Sequence, residues 1–214
     1  MHASLKAYIE PDESKYEVAH NGYIVDILRD DGVVEIQTGT FGSMKKKLAA
    51  LLQCGYVTIV YPVAREKRVY WQDMDTGEIS GGKLSPKHAQ SCEIFKELRW
   101  IREHLWHENL RLRIITIESA VYNRMDGYGK DKKKRASRID KQLVRIIDDF
   151  IISSADELIK LLPDTLPDEF TVKDMVKHGK LQNAVAQYGL KLLYDFGLLE
   201  REMQGRVYVY RRRG

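Results

Sequence analysis

The chain has 214 residues, 43% hydrophobic and 31% charged, with five prolines and a net charge of +4, the profile of a globular protein of one or two domains with ample core material. No apolar run approaches the ~20 residues a membrane-spanning helix needs, and the amphipathic start MHASLKAYIE does not read as a secretory signal. A cytoplasmic protein with two free thiols, Cys54 and Cys92, is therefore expected, with no membrane partner.

Residues 1–10 read as a short helix carrying Leu5, Tyr8 and Ile9 at helical spacing and stopped by Pro11. Three strands follow: KYEVAHN, GYIVDILRD and GVVEIQTG. Asn21-Gly22 and Asp30-Asp31-Gly32 are hairpin signals, so residues 15–38 predict an antiparallel meander. Ser43 is the expected cap of a helix with Met44, Leu48, Leu51 and Leu52 on one stripe, ended by Gly55. YVTIVYPV is apolar almost throughout, as a buried central strand is. Beyond it KRVYWQ reads as a further strand and TGEISGGKLSPK as a turn-rich loop. AQSCEIFKELRWIREHL predicts an amphipathic helix, and LRLRIITIES another strand. Trp71, Trp100 and Trp106 are expected in the core or at an interface. His104 and His107, three apart with no third ligand near, read as surface residues, and no Cys/His cluster has zinc spacing.

Gly and charge without apolar periodicity mark residues 124–137 as a linker. RIDKQLVRIIDDFI and SADELIKLLP then read as helical or mixed apolar elements. Thr171 caps a helix over VKDMVKHG, Gly179 breaks it, and a second helix runs from about Leu181 to Phe196 with Gly197 at its end. The last segment is a hairpin turning at Gln204-Gly205. Helix, tight turn, helix and hairpin form the pattern of a winged helix-turn-helix. The expected organisation is α/β, with a first domain over 1–123, a basic linker over 124–137 and a smaller winged-helix domain over 138–214.

The charge is uneven. Residues 1–129 carry 17 Lys and Arg against 18 Asp and Glu, whereas 130–214 carry 18 against 13. The excess lies in GKDKKKRASR (129–138) and in the terminal YVYRRRG (208–214), clusters that suit a polyanion or merely a solvated linker and tail. On the second helix Lys180, Gln182, Asn183, Gln187 and Lys191 would face a DNA groove. Lys173 and Lys177 on the helix before it, with Arg206, Arg211 and Arg212 on the wing, would meet phosphates. The alternative for this module is protein interaction, for which Tyr188 and Tyr194 are available.

The meander holds the chemistry. Asp26 sits mid-way along the second strand, and Glu35 and Gln37 share one face of the third. Opposed Cβ atoms of adjacent antiparallel strands lie about 4.5–5.5 Å apart, so Asp26 and Glu35 can converge. Two carboxylates and a backbone carbonyl suit a hard ion such as Mg²⁺ or Mn²⁺. The plain alternative is a sheet with one wet face.

Over roughly residues 1–65, element order and residues together resemble the PD-(D/E)XK nuclease superfamily, with its restriction-endonuclease-like αβββαβ core. Asp26 matches the family's acid on the second strand and Glu35 the acid on the third. Gln37 stands where lysine is usual, and Lys45 or Lys47 on the next helix is positioned to replace it. Glu10 or Glu17 stands where the family often adds a further metal-supporting acid. The resemblance implies a metal-dependent endonuclease that hydrolyses phosphodiester bonds in DNA, with Asp26 and Glu35 holding the metal. Two alternatives stay open: a DNA-binding protein whose nuclease fold is inactive, or a subunit of a DNA-processing assembly of the mobile-element or defence kind. A homodimer would suit cutting of both strands, and a partner protein would complete a DNA-processing complex.

Overall fold

The computed structural model describes residues 1–124 and 137–213. Its elements run α1 (His2–Ile9), β1 (Tyr16–His20), β2 (Tyr23–Arg29), β3 (Gly32–Ile36), α2 (Lys45–Leu52) and β4 (Val57–Gln72). Then come β5 (Ile79–Leu84), α3 (Phe95–Leu98), β6 (Leu110–Arg124) and β7 (Ser137–Ile152). The C-terminal part holds β8 (Glu169–Phe170), α4 (Val172–Gly179), α5 (Asn183–Asp195), β9 (Leu199–Gln204) and β10 (Val207–Arg212). The protein is mixed α/β, with a large sheet and few helices.

The sheet runs in the order β1-β2-β3-β4-β6-β7, with β5 attached to β4. Its first three strands are antiparallel, β3 and β6 lie parallel to β4 on either side, and β7 returns antiparallel to β6. Turn chemistry sets the meander. Asn21 and Gly22 both adopt positive φ, 49° and 79°, as a type I′ hairpin demands. At Gly32 a Cβ would run into the carbonyl oxygen of Tyr56, which accepts the Val33 N–H at 2.8 Å; only glycine lets β3 start so close to β4.

Each face of the sheet has its own core. Leu5 and Ile9 of α1 cover Ile27, Val34, Ile36, Val60, Ile115 and Ile117. The other face is covered by α2, α3 and the C-terminal helices, in one cluster that reaches from Val33 through Phe95 to Leu193 and Tyr210. The C-terminal part thus shares a core with the sheet. Its second helix lies so close to α3 that a Cβ on Gly189 would sit 2.6 Å from the Phe95 ring. Arg102 bonds Asp195 at 2.7 Å across the same contact.

Several expectations change. Residues 138–151, expected as helical or mixed elements at the head of the second domain, lie in β7 and complete the large sheet. Arg113 of β6 pairs with Asp149 of β7 at 2.7 Å, and Tyr8 of α1 donates to the same carboxylate. The boundary expected between 123 and 138 therefore does not divide the sheet. The expected linker joins two neighbouring strands, and its residues 125–136 lie outside those described. YVTIVYPV and KRVYWQ are one strand, β4, with a bulge between Ala64 and Glu66. Part of the expected loop after it is β5. The amphipathic helix expected over 89–105 is broken into a 3₁₀ turn at Ser91–Ile94, the four residues of α3, and a second 3₁₀ turn at Arg102–His104. Thr40, not Ser43, caps the turn that leads into α2. Trp100 and Trp106 are exposed, and Trp106 packs on Phe196 with ring centres 4.9 Å apart.

The C-terminal helices fall where the sequence places them. Thr171 accepts the Asp174 N–H and Asp174 returns the contact, a complete capping box. Lys180 takes a left-handed conformation at φ 52° to end α4. The hairpin of β9 and β10 turns through Gly205 and Arg206, and β8 pairs with the outer side of β10. Among the described residues no helix is long and apolar enough to cross a membrane.

Candidate functional site

The ladder between β2 and β3 stops at the pair Ile27 and Val34. The next two backbone donors go to side chains. The Asp26 N–H donates to Glu35 Oε1 at 3.3 Å, and the Ile36 N–H donates to Asp26 Oδ2 at 2.7 Å. The strands thus part at Asp26 and Glu35, and each carboxylate fills the gap left by a missing sheet bond. A strand otherwise apolar carries an acid here for that reason: Glu35 is only 8% exposed, so it is no solvent-facing residue. Beside it, Glu17 on the edge strand β1 adopts φ 51°, and Val25 and Ile27 belong to the cores of opposite faces.

Cations close over the pair. Lys47 of α2 lies 2.7 Å from Glu35 and donates to the Ile24 carbonyl at 2.7 Å. Lys6 of α1, 5% exposed, bonds Glu17 and stands 3.7 Å from Asp26. His2 Nε2 lies 3.3 Å from Asp26 Oδ2 and 3.2 Å from the Ile36 carbonyl oxygen. These neighbours divide the two acids. Burial raises the Asp26 carboxyl, but the hydrogen bonds from His2 and the Ile36 N–H and the charges of His2 and Lys6 outweigh it, so Asp26 lies below the usual carboxylate range. Burial dominates at Glu35 and lifts it above that range, against the pull of Lys47. The bond to Asp26 raises the His2 imidazole. A shielded acid pair with separated affinities for the proton is a frequent mark of functional chemistry.

The expected site residues separate clearly. Asp26, Glu35 and Lys47 come together, and Glu17 joins them through Lys6. Gln37 does not: its amide donates to the Thr40 carbonyl at 3.0 Å and to Ser43 Oγ at 3.4 Å. Lys45 is held by Glu103 at 2.6 Å, away from the acids. Glu10 faces Lys15 and Arg29, at 3.5 and 3.7 Å. His2 and Lys6 lie outside the expected set. Their spacing of four puts them on one side of α1, the only signal the sequence offers.

The oxygens of Asp26, Glu35 and the Ile36 carbonyl are all hard donors, which fits Mg²⁺ or Mn²⁺ with water or substrate completing the shell. Among the described residues no group of three His, Cys, Asp or Glu side chains is placed to hold a metal by itself.

In the C-terminal part Lys173, Lys177, Lys180, Gln182, Asn183 and Gln187 stand at the surface, as does Arg206 at the turn between β9 and β10. Asn183, Gln187 and Lys191 make a polar stripe on α5. Lys191 is tied to Asp195 at 2.9 Å, and Arg211 to Glu169 and Glu202 at 2.9 and 3.4 Å. Arg212 donates to the Pro163 carbonyl at 3.3 Å. Those three cations are partly engaged within the fold; Lys173, Lys177, Lys180 and Arg206 have no ion pair among the described residues.

Residues 1–153 match the model of a domain of unknown function, DUF8091. The chain belongs to that family. The match ends one residue beyond β7, so it takes in the whole large sheet and the acid pair. An uncharacterized protein of Treponema pallidum (strain Nichols) is 30% identical over 214 residues, spanning 99% of this chain and 84% of that protein. No solved structure matches.

Proposed function

We propose that this DUF8091 member is a metal-dependent DNA endonuclease with a restriction-endonuclease-like core and a C-terminal winged helix. The observation that carries the reading is the opening of β2 and β3 at Asp26 and Glu35, where each carboxylate takes a backbone N–H of the facing strand and His2 bridges Asp26 to the Ile36 carbonyl. The order α1, β1, β2, β3, α2, β4, with β3 parallel to β4, supports the core assignment. The order β8, α4, α5, β9, β10 supports the winged helix.

Asp26, Glu35 and the Ile36 carbonyl would hold the divalent ion. When bound, that ion supplies a polarised phosphoryl oxygen and a water acidified toward neutrality. Lys47 keeps a positive charge beside Glu35 and is the group placed to meet negative charge that builds on the phosphate. Lys6 holds Asp26 ionised from the α1 side. His2 shares Asp26 Oδ2 and the Ile36 oxygen, so its imidazole must swing off them before they serve another partner. Gln37, bound to the loop before α2, orients Thr40 and Ser43.

Duplex DNA incubated with Mg²⁺ or Mn²⁺ tests the reading. The wild type should cleave, EDTA should stop it, and Asp26→Asn should lower the rate on the order of 10²–10³-fold while duplex binding survives. Cleavage that persists at wild-type rate in Asp26→Asn contradicts it. The grip of Lys47 on Glu35 and the withdrawal of Gln37 favour one other reading, a DNA-binding protein that does not cut. It predicts no metal-dependent cleavage but binding that weakens steeply with salt.

A further inference from the structure

The far half of the large sheet carries a second charged feature, one wall of which borders the turn between α4 and α5. Beyond α3 the strands β4, β6 and β7 continue as the floor of a cleft of about 500 Å³, walled by Lys87 and Ala89 on one side and reaching Thr38 on the other. Thr38 follows Gln37, so the cleft begins at the end of β3, three residues from Glu35.

Its charge is one-sided. Lys67, Lys87, Lys96, Arg138 and Lys141 line it against a single acid, Glu93, which is already bonded to Lys96 at 2.7 Å. Lys67, Lys87, Arg138 and Lys141 have no ion pair among the described residues. The backbone gathers them. Lys67, Val69 and Trp71 alternate onto one face of β4, and Val69 lies opposite Val121, which lies opposite Lys141. Trp71 leads in the same way through Asn123 to Arg138. Arg138 and Lys141 are three apart and would point to opposite faces of a regular strand. A register shift at Tyr122/Asn123 inserts one residue and brings both to the cleft.

At strand spacings of about 4.8 Å, these groups fall within roughly one Debye length of one another, where like charges repel. Lys141 registers the crowding: burial, then Arg138 and Lys67, hold its ammonium below the usual lysine value. A concave cluster of cations, most of them without an acidic partner, describes a seat for a polyanion. We infer that this cleft binds successive phosphates of a nucleic-acid strand, carrying it across β4, β6 and β7 toward the acid pair. The choice of a nucleic acid as the phosphate carrier rests on the DNA reading above; the anion seat does not.

The test is fluorescence anisotropy in EDTA, so that failure to cleave DNA leaves it untouched. A labelled duplex, a labelled single strand and inorganic triphosphate as competitor are compared on wild type, on Lys67→Gln/Arg138→Gln/Lys141→Gln, and on Lys173→Gln/Lys177→Gln in α4. The cleft variant should bind at least one of the two nucleic acids about tenfold or more weakly. Its salt slope should fall by about 2–3, because each phosphate left without its cation lowers the slope by about one. Its melting temperature should hold or rise, because repulsion is relieved; a merely structural role predicts the opposite. Lys67→Glu, a single reversal, should weaken binding further than Lys67→Gln. Unchanged affinity and salt slope for both nucleic acids overturns the inference. So does a variant that loses triphosphate competition but keeps nucleic-acid binding.

Discussion

Lys47→Met is expected to destabilise the protein by about 2–3 kcal/mol at pH 7, and more than its size suggests. The ammonium touches both carboxylate oxygens of Glu35 and the Ile24 carbonyl, each at 2.7 Å. Glu35 is almost wholly buried. Without Lys47 a carboxylate is left in a poor environment for charge, and removing one partner of such a pair costs far more than the pair itself contributes. The partial exposure of Lys47 sets the figure below that of a fully buried pair. Lys47→Met/Glu35→Gln should recover much of the deficit, giving a coupling of about 1–3 kcal/mol in a urea-unfolding cycle. The pH dependence has a fixed sign. The folded Glu35 carboxyl already lies above its unfolded value, so its contribution to stability is present at acid pH and is lost as pH rises through the folded value. Lys47→Met raises that value further, so its deficit should grow from acid pH toward neutrality. A deficit independent of pH, or single effects that simply add, would show that the two groups do not share the site.

The second large effect lies at the junction of α3 and α5. Gly189→Ala should lower stability by about 1–3 kcal/mol, or roughly 2–4 °C of melting temperature per kcal/mol in a chain of this size. A Cβ there meets three atoms of the Phe95 ring at 2.6, 2.8 and 3.1 Å, and that ring is fully buried with nowhere to retreat. The sign is the test. In an open helix interior, alanine stabilises over glycine by about 0.5–1 kcal/mol, so a C-terminal part that merely hung from the sheet would gain from the change. Gly189→Ala/Phe95→Leu should regain part of the stability. A stabilised Gly189→Ala would mean that α5 does not pack on α3.

Much of this architecture is legible in the sequence where local chemistry decides it. Asn21-Gly22 fixes the first hairpin, the alternation of Asp26 and Glu35 with β-branched neighbours marks the acids, and Thr171 with Asp174 places α4. β7 is hidden because Ile139, Leu143, Ile146, Ile147 and Phe150 fall at helical spacing. Three register shifts against β6 break the period of two that would betray a strand. Arg65 and Glu66 lie between the two strands read in the sequence, yet β4 runs through them past a bulge and on to Lys67 in the cleft. At the acid pair the sequence offers the carboxylates but not the cations that hold them. Lys6 looks like the wet side of α1, and only its contacts with Glu17, Asp26 and the Tyr16 ring account for its burial. Gln37 stands where the resemblance to the PD-(D/E)XK nucleases would place a lysine; the chain bends after Ile36, and its amide follows the loop.

The most direct measurement is calorimetric titration of Mn²⁺ and Mg²⁺ into the wild type and into Asp26→Ala/Glu35→Ala. The account predicts one site in the roughly micromolar to millimolar range, as suits two carboxylates that leave room for water and substrate, and no binding in the double variant. A wild type that binds neither ion, or a double variant that binds them equally well, would contradict it.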